Sequence, residues 1–337
     1  MKNLKSMSSD SRTPISVIFG GNGFVGRHLT QKLQSLGHHV VVCDLNIRQD
    51  NPADECFVFD VKNPINLNLP KKPLYVFNLA AVHRTPGHND REYYETNVSG
   101  AINITKWCES VGANTIVFTS SISVYGLQEG VINEATHPSP VSPYGYSKLY
   151  AEEIHKSWQT KAPLNRRILI VRPAVIFGPG ENGNFTRLAR ALRYGYFVIP
   201  SGRNVLKPSG WVGDLIDSML FSLNQQENVI LYNFSFPKTY NIGEICDAFE
   251  KLCKVRKAKS IPLGRILQGV RLPFNFYRKI LARIEKLSNS VQIAPDYLLE
   301  NGFIWNHNLE SSLAEWKNTN SVDEIFYQKS QGSRDFK

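Results

Sequence analysis

The chain has 337 residues, 42% of them hydrophobic and 20% charged, with five cysteines and a formal net charge of +10. That length allows one large domain or two modest ones, and the balance excludes disordered, collagen-like and coiled-coil classes. No run of 18 apolar residues occurs, which argues against a spanning helix, and residues 1–14 lack an apolar core and read as a flexible polar tail rather than a secretory signal.

Ile15 to Phe19 (ISVIF) predicts a strand that ends in a glycine-rich turn. Phe24, Leu29, Leu33 and Leu36 then repeat at helical spacing. Further strands are predicted at Val40 to Cys43, Cys56 to Phe59, Leu74 to Phe77, Thr115 to Thr119 and Ile168 to Val171. Apolar, β-branched runs alternating with helices predict an α/β fold, a doubly wound parallel sheet of Rossmann type covered on both faces. Beyond Pro179 glycines break the pattern, and helices near 185–194, 213–223 and 241–253 predict a smaller, interleaved C-terminal lobe. The expected organisation is a dinucleotide-binding domain at 15–180, a substrate-binding lobe at 181–320 and a polar tail at 321–337.

Charge is unevenly placed. Residues 251–286 hold eleven Lys or Arg against Glu285 alone, and the remainder is balanced. A protein that coats nucleic acid would more often spread its basic residues across a face, so no nucleic-acid partner is expected. The odd cysteine count, with no CxxC, fits a reducing cytoplasm. Cys246 and Cys253, seven apart on a predicted helix, read as small core residues. No metal-ligand cluster is visible, and no metal is expected.

The turn after the first strand reads Gly20-Gly21-Asn22-Gly23-Phe24-Val25-Gly26. Gly20, Gly23 and Gly26 have separate uses there: a tight turn, close approach of the backbone to a pyrophosphate, and close packing of helix on strand. The amides of Phe24 and Val25 open the helix, where free N–H groups and the dipole favour an anion. Asp44 ends the second strand, 18 residues past Gly26. A carboxylate there bonds a ribose 2′-hydroxyl and repels a 2′-phosphate, so NAD is the expected cofactor. Arg48 lies close by and keeps NADP open. Asp60 and Val61 end the third strand, where an acid can meet adenine. Ala80 and Ala81 follow the fourth, where small residues let the chain lie against the cofactor.

Tyr144 and Lys148 stand at i and i+4 and share one face of a helix. A phenol, with a pKa of about 10, is a poor base at neutral pH; a neighbouring ammonium favours the phenolate. The run Ser120-Ser121-Ile122-Ser123-Val124-Tyr125-Gly126 places hydroxyls at the carboxyl end of the fifth strand, where ligands bind in this class.

GGNGFVG, FDV, NLAA, ETNVSGAIN, FTSSISVYG, PYGYSK and VRPAVIFGPG together resemble the extended short-chain dehydrogenases/reductases, the branch with sugar-nucleotide epimerases, dehydratases and ketoreductases. The resemblance covers about residues 15–315. It implies that Tyr144 is the acid or base, that Lys148 tunes it and holds a ribose, and that Ser121 bonds the reacting sugar oxygen. It places Asn97 and Pro173 near the active site and the nicotinamide. Asn78 departs from the usual His. Dehydratases of this family carry an Asp-Glu pair where this chain has Ile122 and Ser123, which argues against elimination of water. Epimerisation at C4 through a transient 4-keto sugar is the favoured expectation. A 4-keto-sugar reductase, a hydroxysteroid-type dehydrogenase and a non-catalytic NAD-binding sensor are the alternatives.

The stretch from Ser201 to Asp214 resembles the family segment that grips a substrate diphosphate, with Lys207 in place of the usual Arg. Asn184 is expected near the same diphosphate. His83 and Arg84, after the fourth strand, and Ser123 complete the expected substrate contacts. The combination of AAVHR, GNFTRLAR and LKPSGWVGD with the earlier runs resembles bacterial enzymes that epimerise N-acetylglucosamine on undecaprenyl diphosphate for surface polysaccharides, with relatives that use UDP sugars. This resemblance implies a homodimer. In the basic segment, Tyr277, Ile280, Leu281, Ile284 and Leu287 fall at helical spacing among Arg278, Lys279, Arg283 and Lys286. Such a helix, over 264–287, can lie peripherally on an anionic inner membrane face.

Overall fold

In the computed structural model, the described residues are 13–83, 87–199, 202–260 and 289–319. The N-terminal tail up to residue 12, Arg84, Ser201, the proposed membrane helix at 264–287 and the C-terminal tail lie outside them.

The first half builds β1 (Ile15–Phe19), α1 (Phe24–Ser35), β2 (His39–Asp44), β3 (Glu55–Val58), β4 (Tyr75–Asn78), a single turn α2 (Asp90–Tyr93), a π-helical turn (Tyr94–Val98), α3 (Ser99–Ser110) and β5 (Thr115–Thr119). A 3₁₀ turn (Ile122–Tyr125), β6 (Val131–Ile132), α4 (Pro143–Thr160), β7 (Arg167–Pro173), β8 (Val175–Phe177), α5 (Asn184–Tyr194), β9 (Val198–Ile199), β10 (Ser209–Trp211) and α6 (Val212–Leu223) follow. The chain continues through β11 (Val229–Phe234), α7 (Ile242–Cys253), β12 (Lys259–Ser260), β13 (Gln292–Ile293), α8 (Asp296–Glu300) and α9 (Leu309–Thr319).

Seven strands form the main sheet in the order β11-β7-β5-β4-β1-β2-β3. The strands pair in parallel across β3, β2, β1, β4 and β5, so the order reverses at β1, the switch point where this class binds ligands. Continuous apolar runs suit strands covered on both faces. Val17, Ile18, Val41, Val42, Val76, Phe77, Ile116 and Val117 are buried accordingly. The third predicted strand behaves differently. β3 is the edge strand, and Phe57 and Val58 are exposed, because an edge position pairs on one side only.

Two compact units can be distinguished: one within Met1–Ser120, Ser142–Ile170 and Gln225–Ile230, the other within Ser121–Val141, Val171–Asn224 and Leu231–Lys337. The second has its own core, in which Phe177 stacks on Phe185 with ring centroids 4.0 Å apart among Trp211, Phe236, Phe249 and Trp316. Three short parallel pairs, β8 with β10, β6 with β13 and β9 with β12, belong to this unit. Cys246 is buried in its core, with Cys253 half-buried.

Candidate active site

The glycine-rich turn joins β1 to α1 in the first unit. Gly20 has φ +81°, and a Cβ there would lie 2.6 Å from the Ala80 amide nitrogen. A Cβ on Gly26 would lie 2.5 Å from the Gly21 Cα. Gly20 thus lets the turn pass against the Leu79–Ala80 backbone, and Gly26 lets α1 start close to the turn. A Cβ on Gly23 would meet only the Gly20 carbonyl oxygen, at 3.2 Å. Gly23 is the N-cap of α1; no side chain caps that end, and the first turn holds no acidic residue. This uncapped helix start is suited to a pyrophosphate. Phe24 and Val25 supply its first two helical residues.

Asp44 closes β2 beside this turn. One carboxylate oxygen accepts from the Asn22 amide at 2.9 Å and the other from the Leu45 amide at 2.8 Å. Arg48, in contrast, is engaged by Asp50, with Nε 2.9 Å from Oδ1. Arg27 also reaches Asp50, at 3.0 Å. The cation that left NADP open is therefore paired with a carboxylate. Uncapped helix start, glycine cradle and fixed Asp44 together fit a dinucleotide with a free 2′-hydroxyl.

Asp60 lies two residues past the end of β3, with its carboxylate 3.3 Å from Lys62 Nζ. Val61 is buried against Gly100, and its carbonyl accepts from Asn103 at 2.9 Å. Ala80 and Ala81 occupy the loop after β4. His83 is an exposed residue of the same loop.

Ser142 caps α4, accepting from the Gly145 amide at 3.1 Å, and Pro143 fills the first helical position, where its missing N–H costs no helical bond. Tyr144 follows, with its ring 6.1 Å from that of Tyr93. Lys148, one turn on, is buried, with Nζ 4.5 Å from the centroid of Phe118. Burial pushes its pKa down to about 7, against a pull from Glu152. Asn97, buried in the π turn, accepts from the Val82 amide at 2.9 Å and donates to Ser147 Oγ at 2.8 Å. It ties the loop after β4 to the helix that carries Tyr144 and Lys148.

Two side chains not anticipated from the sequence lie in this unit. Glu152, wholly buried, accepts from Ser120 Oγ at 2.5 Å. His155 stacks on Phe118 with ring centroids 4.4 Å apart. Its Nδ1 lies 2.6 Å from the Ala151 carbonyl oxygen. That oxygen can only accept, so Nδ1 carries the proton, and Nε2 accepts from Asn78 Nδ2 at 3.3 Å. Burial lowers the His155 pKa to about 4. The sequence carries only a spacing for them: Glu152 stands four residues past Lys148, and His155 three past Glu152.

The second unit holds the remaining candidates. Ser121 caps the 3₁₀ turn by accepting from the Ser123 amide, and its hydroxyl lies 3.1 Å from that of Ser123. Tyr125, at the end of that turn, donates to Asn233 at 2.7 Å and accepts from Arg172 at 2.9 Å. Pro173 ends β7. Asn184 opens α5, but the carboxylate at that helix start is Glu181, which accepts from the Thr186 amide at 2.9 Å. The Asn184 side chain accepts instead from Arg187 at 2.9 Å. Lys207 is half-buried and donates to the Asn289 carbonyl at 2.8 Å.

Comparison with known proteins adds four findings. A family model described as "NAD dependent epimerase/dehydratase family" matches residues 16–243. The N-acetyl-alpha-D-glucosaminyl-diphospho-ditrans,octacis-undecaprenol 4-epimerase of Escherichia coli O157:H7 is 27% identical over 315 residues, 88% of this chain and 92% of that protein. The UDP-glucose 4-epimerase of Vibrio cholerae is 28% identical over 203 residues, 56% of this chain and 60% of that protein. A crystal structure of UDP-galactose 4-epimerase superposes with a TM-score of 0.70 at 22% identity, over 90% of this chain and 99% of that one. At that identity the superposition speaks for the fold.

Proposed function

The chain belongs to the NAD dependent epimerase/dehydratase family, and within it we propose an NAD-dependent 4-epimerase of a diphosphate-activated N-acetylhexosamine. The observation that carries this reading is the placement of Tyr144 one turn before a wholly buried Lys148, in the same unit as the dinucleotide cradle. Ile122 and Ser123, where a dehydratase has its acid pair, favour epimerisation over loss of water.

NAD, when bound, supplies the reversible hydride chemistry. The chain supplies the rest. Gly20, Gly23, Phe24, Val25 and Gly26 would hold the pyrophosphate, and Asp44 would accept from the ribose 2′-hydroxyl. Tyr144 takes the proton of the C4 hydroxyl and returns it after the flat 4-keto sugar has presented its other face. Lys148 holds the phenolate charge in a setting of low dielectric, where the attraction is strong. Ser121 donates to the sugar oxygen.

A lipid-diphosphate carrier is the preferred substrate form. It is supported by the extent of the match to the Escherichia coli relative, which runs nearly end to end, whereas the match to the Vibrio cholerae relative spans about half of this chain. The same reading carries a homodimer, which light scattering of the purified protein would measure.

The test is to incubate the protein with UDP-N-acetylglucosamine and, separately, with lipid-diphosphate-N-acetylglucosamine, and to analyse released sugars for inversion at C4. Absorbance of bulk NADH should stay flat as product accumulates. Stoichiometric NADH would place a dehydrogenase ahead, and inversion of the UDP sugar alone would replace the lipid carrier.

A further inference from the structure

Lys148 is 1% exposed and Glu152 is 0% exposed, one helical turn apart on α4. Residues at i and i+4 face the same way on a helix. A buried ammonium is costly unless a charge of opposite sign accompanies it, and a buried carboxylate likewise. The aromatic face of Phe118 attracts the ammonium but holds no net charge. Glu152 is fixed in turn by the Ser120 hydroxyl, which donates to Oε1.

We infer that Glu152, held by Ser120, is the counter-charge that keeps Lys148 protonated, and so acts as a positioning residue for the Tyr144–Lys148 pair. The other groups packed here agree with it. His155 on α4 is kept neutral at physiological pH by burial, and if protonated it would oppose Lys148. β4 contributes Asn78, β5 contributes Phe118, α2 contributes Tyr93 and the π turn contributes Asn97. Glu152 is the carboxylate whose charge raises the affinity of Lys148 for its proton, against the desolvation that lowers it. Without that charge Lys148 would be largely neutral at the pH where Tyr144 must be a phenolate, and the phenolate would lose its partner. The inference uses the proposed roles of Tyr144 and Lys148 only for its kinetic consequence.

The experiment is a pH titration of the full chain, loaded with NAD and labelled with 13C at lysine Cε. The Lys148 resonance is assigned as the one absent from Lys148→Arg. In Glu152→Gln the Lys148 midpoint should fall by about one pH unit or more, a roughly tenfold or greater rise in its acid dissociation constant. Ser120→Ala, which keeps the carboxylate but frees it, should move the midpoint the same way by less. Glu152→Asp should restore part of the shift. The alkaline limb of turnover should move down with the midpoint and activity should recover as the pH is lowered, whereas a purely structural residue would depress turnover at every pH. An unchanged midpoint in folded Glu152→Gln overturns the inference. If that variant does not fold, an unchanged midpoint in Ser120→Ala overturns it. The titration needs no sugar, so a wrong substrate would leave its result standing.

Discussion

Asn97 donates to the Ser147 hydroxyl at 2.8 Å, and Ser147 donates in turn to the Tyr144 carbonyl at 2.8 Å. The amide of Asn97 also exchanges two hydrogen bonds with the Val82 backbone. One buried side chain therefore links the loop after β4 to the first turn of α4. Asn97 reaches both because it sits in a π turn, Tyr94–Val98, whose extra residue rotates the side chains that follow. Such bulges recur at functional sites.

Tyr144→Phe should lower epimerisation by roughly 10² to 10⁴-fold, the usual worth of an acid–base group. The ring and its packing on Tyr93 are kept, so the melting temperature should be close to that of the wild type. Turnover within a few-fold of wild type would remove Tyr144 from the role of base.

NAD should bind more tightly than NADP. Asp44 accepts from two backbone amides beside the turn, and its charge repels a 2′-phosphate. Asp44→Ala should narrow the gap, chiefly by improving NADP binding. Arg48 is already paired with Asp50, so Arg48→Ala should change the preference little. Titration calorimetry with both dinucleotides measures this, and tighter binding of NADP by the wild type would favour a reductase.

His155 should make the protein less stable in mild acid. Its folded pKa of about 4 lies below the ordinary value of 6.5, so the unfolded chain binds the proton more readily. The stability tied to the neutral ring is present above pH 6.5 and is lost as the pH falls toward 4. Between pH 7 and pH 5 the loss is about 2 kcal/mol. His155→Gln removes the titration. Its urea midpoint should change less than that of wild type over this interval, and equal changes in the two proteins would refute the assignment.

Residues 264–287 should hold the protein on anionic vesicles, with each basic residue near the surface contributing on the order of 1 kcal/mol. Changing Arg278, Lys279, Arg283 and Lys286 to Gln should abolish co-sedimentation, as should 1 M salt, where screening shortens to about 3 Å. A wild type that does not sediment with anionic vesicles would refute membrane attachment and favour a free UDP-sugar substrate, and equal sedimentation of both proteins would remove the four basic residues from that role.

By itself the sequence determined the strand-and-helix alternation, the glycine cradle, Asp44 and the Tyr144–Lys148 spacing. Each is local: a strand's apolar run, a turn that excludes a Cβ, two side chains one helical turn apart. Tertiary structure decided what depends on pairing across the chain. It made β3 an edge strand with Phe57 and Val58 exposed, which no apolar run reveals, because exposure depends on which strands lie alongside. It paired Arg48 with Asp50, set Lys207 on the Asn289 carbonyl, and put Glu181 at the start of α5. It also buried Glu152 and His155 around Phe118 and Lys148. On the sequence those two are ordinary polar residues of an amphipathic helix. Their charge states follow from burial, and burial belongs to the packed sheet and helix together.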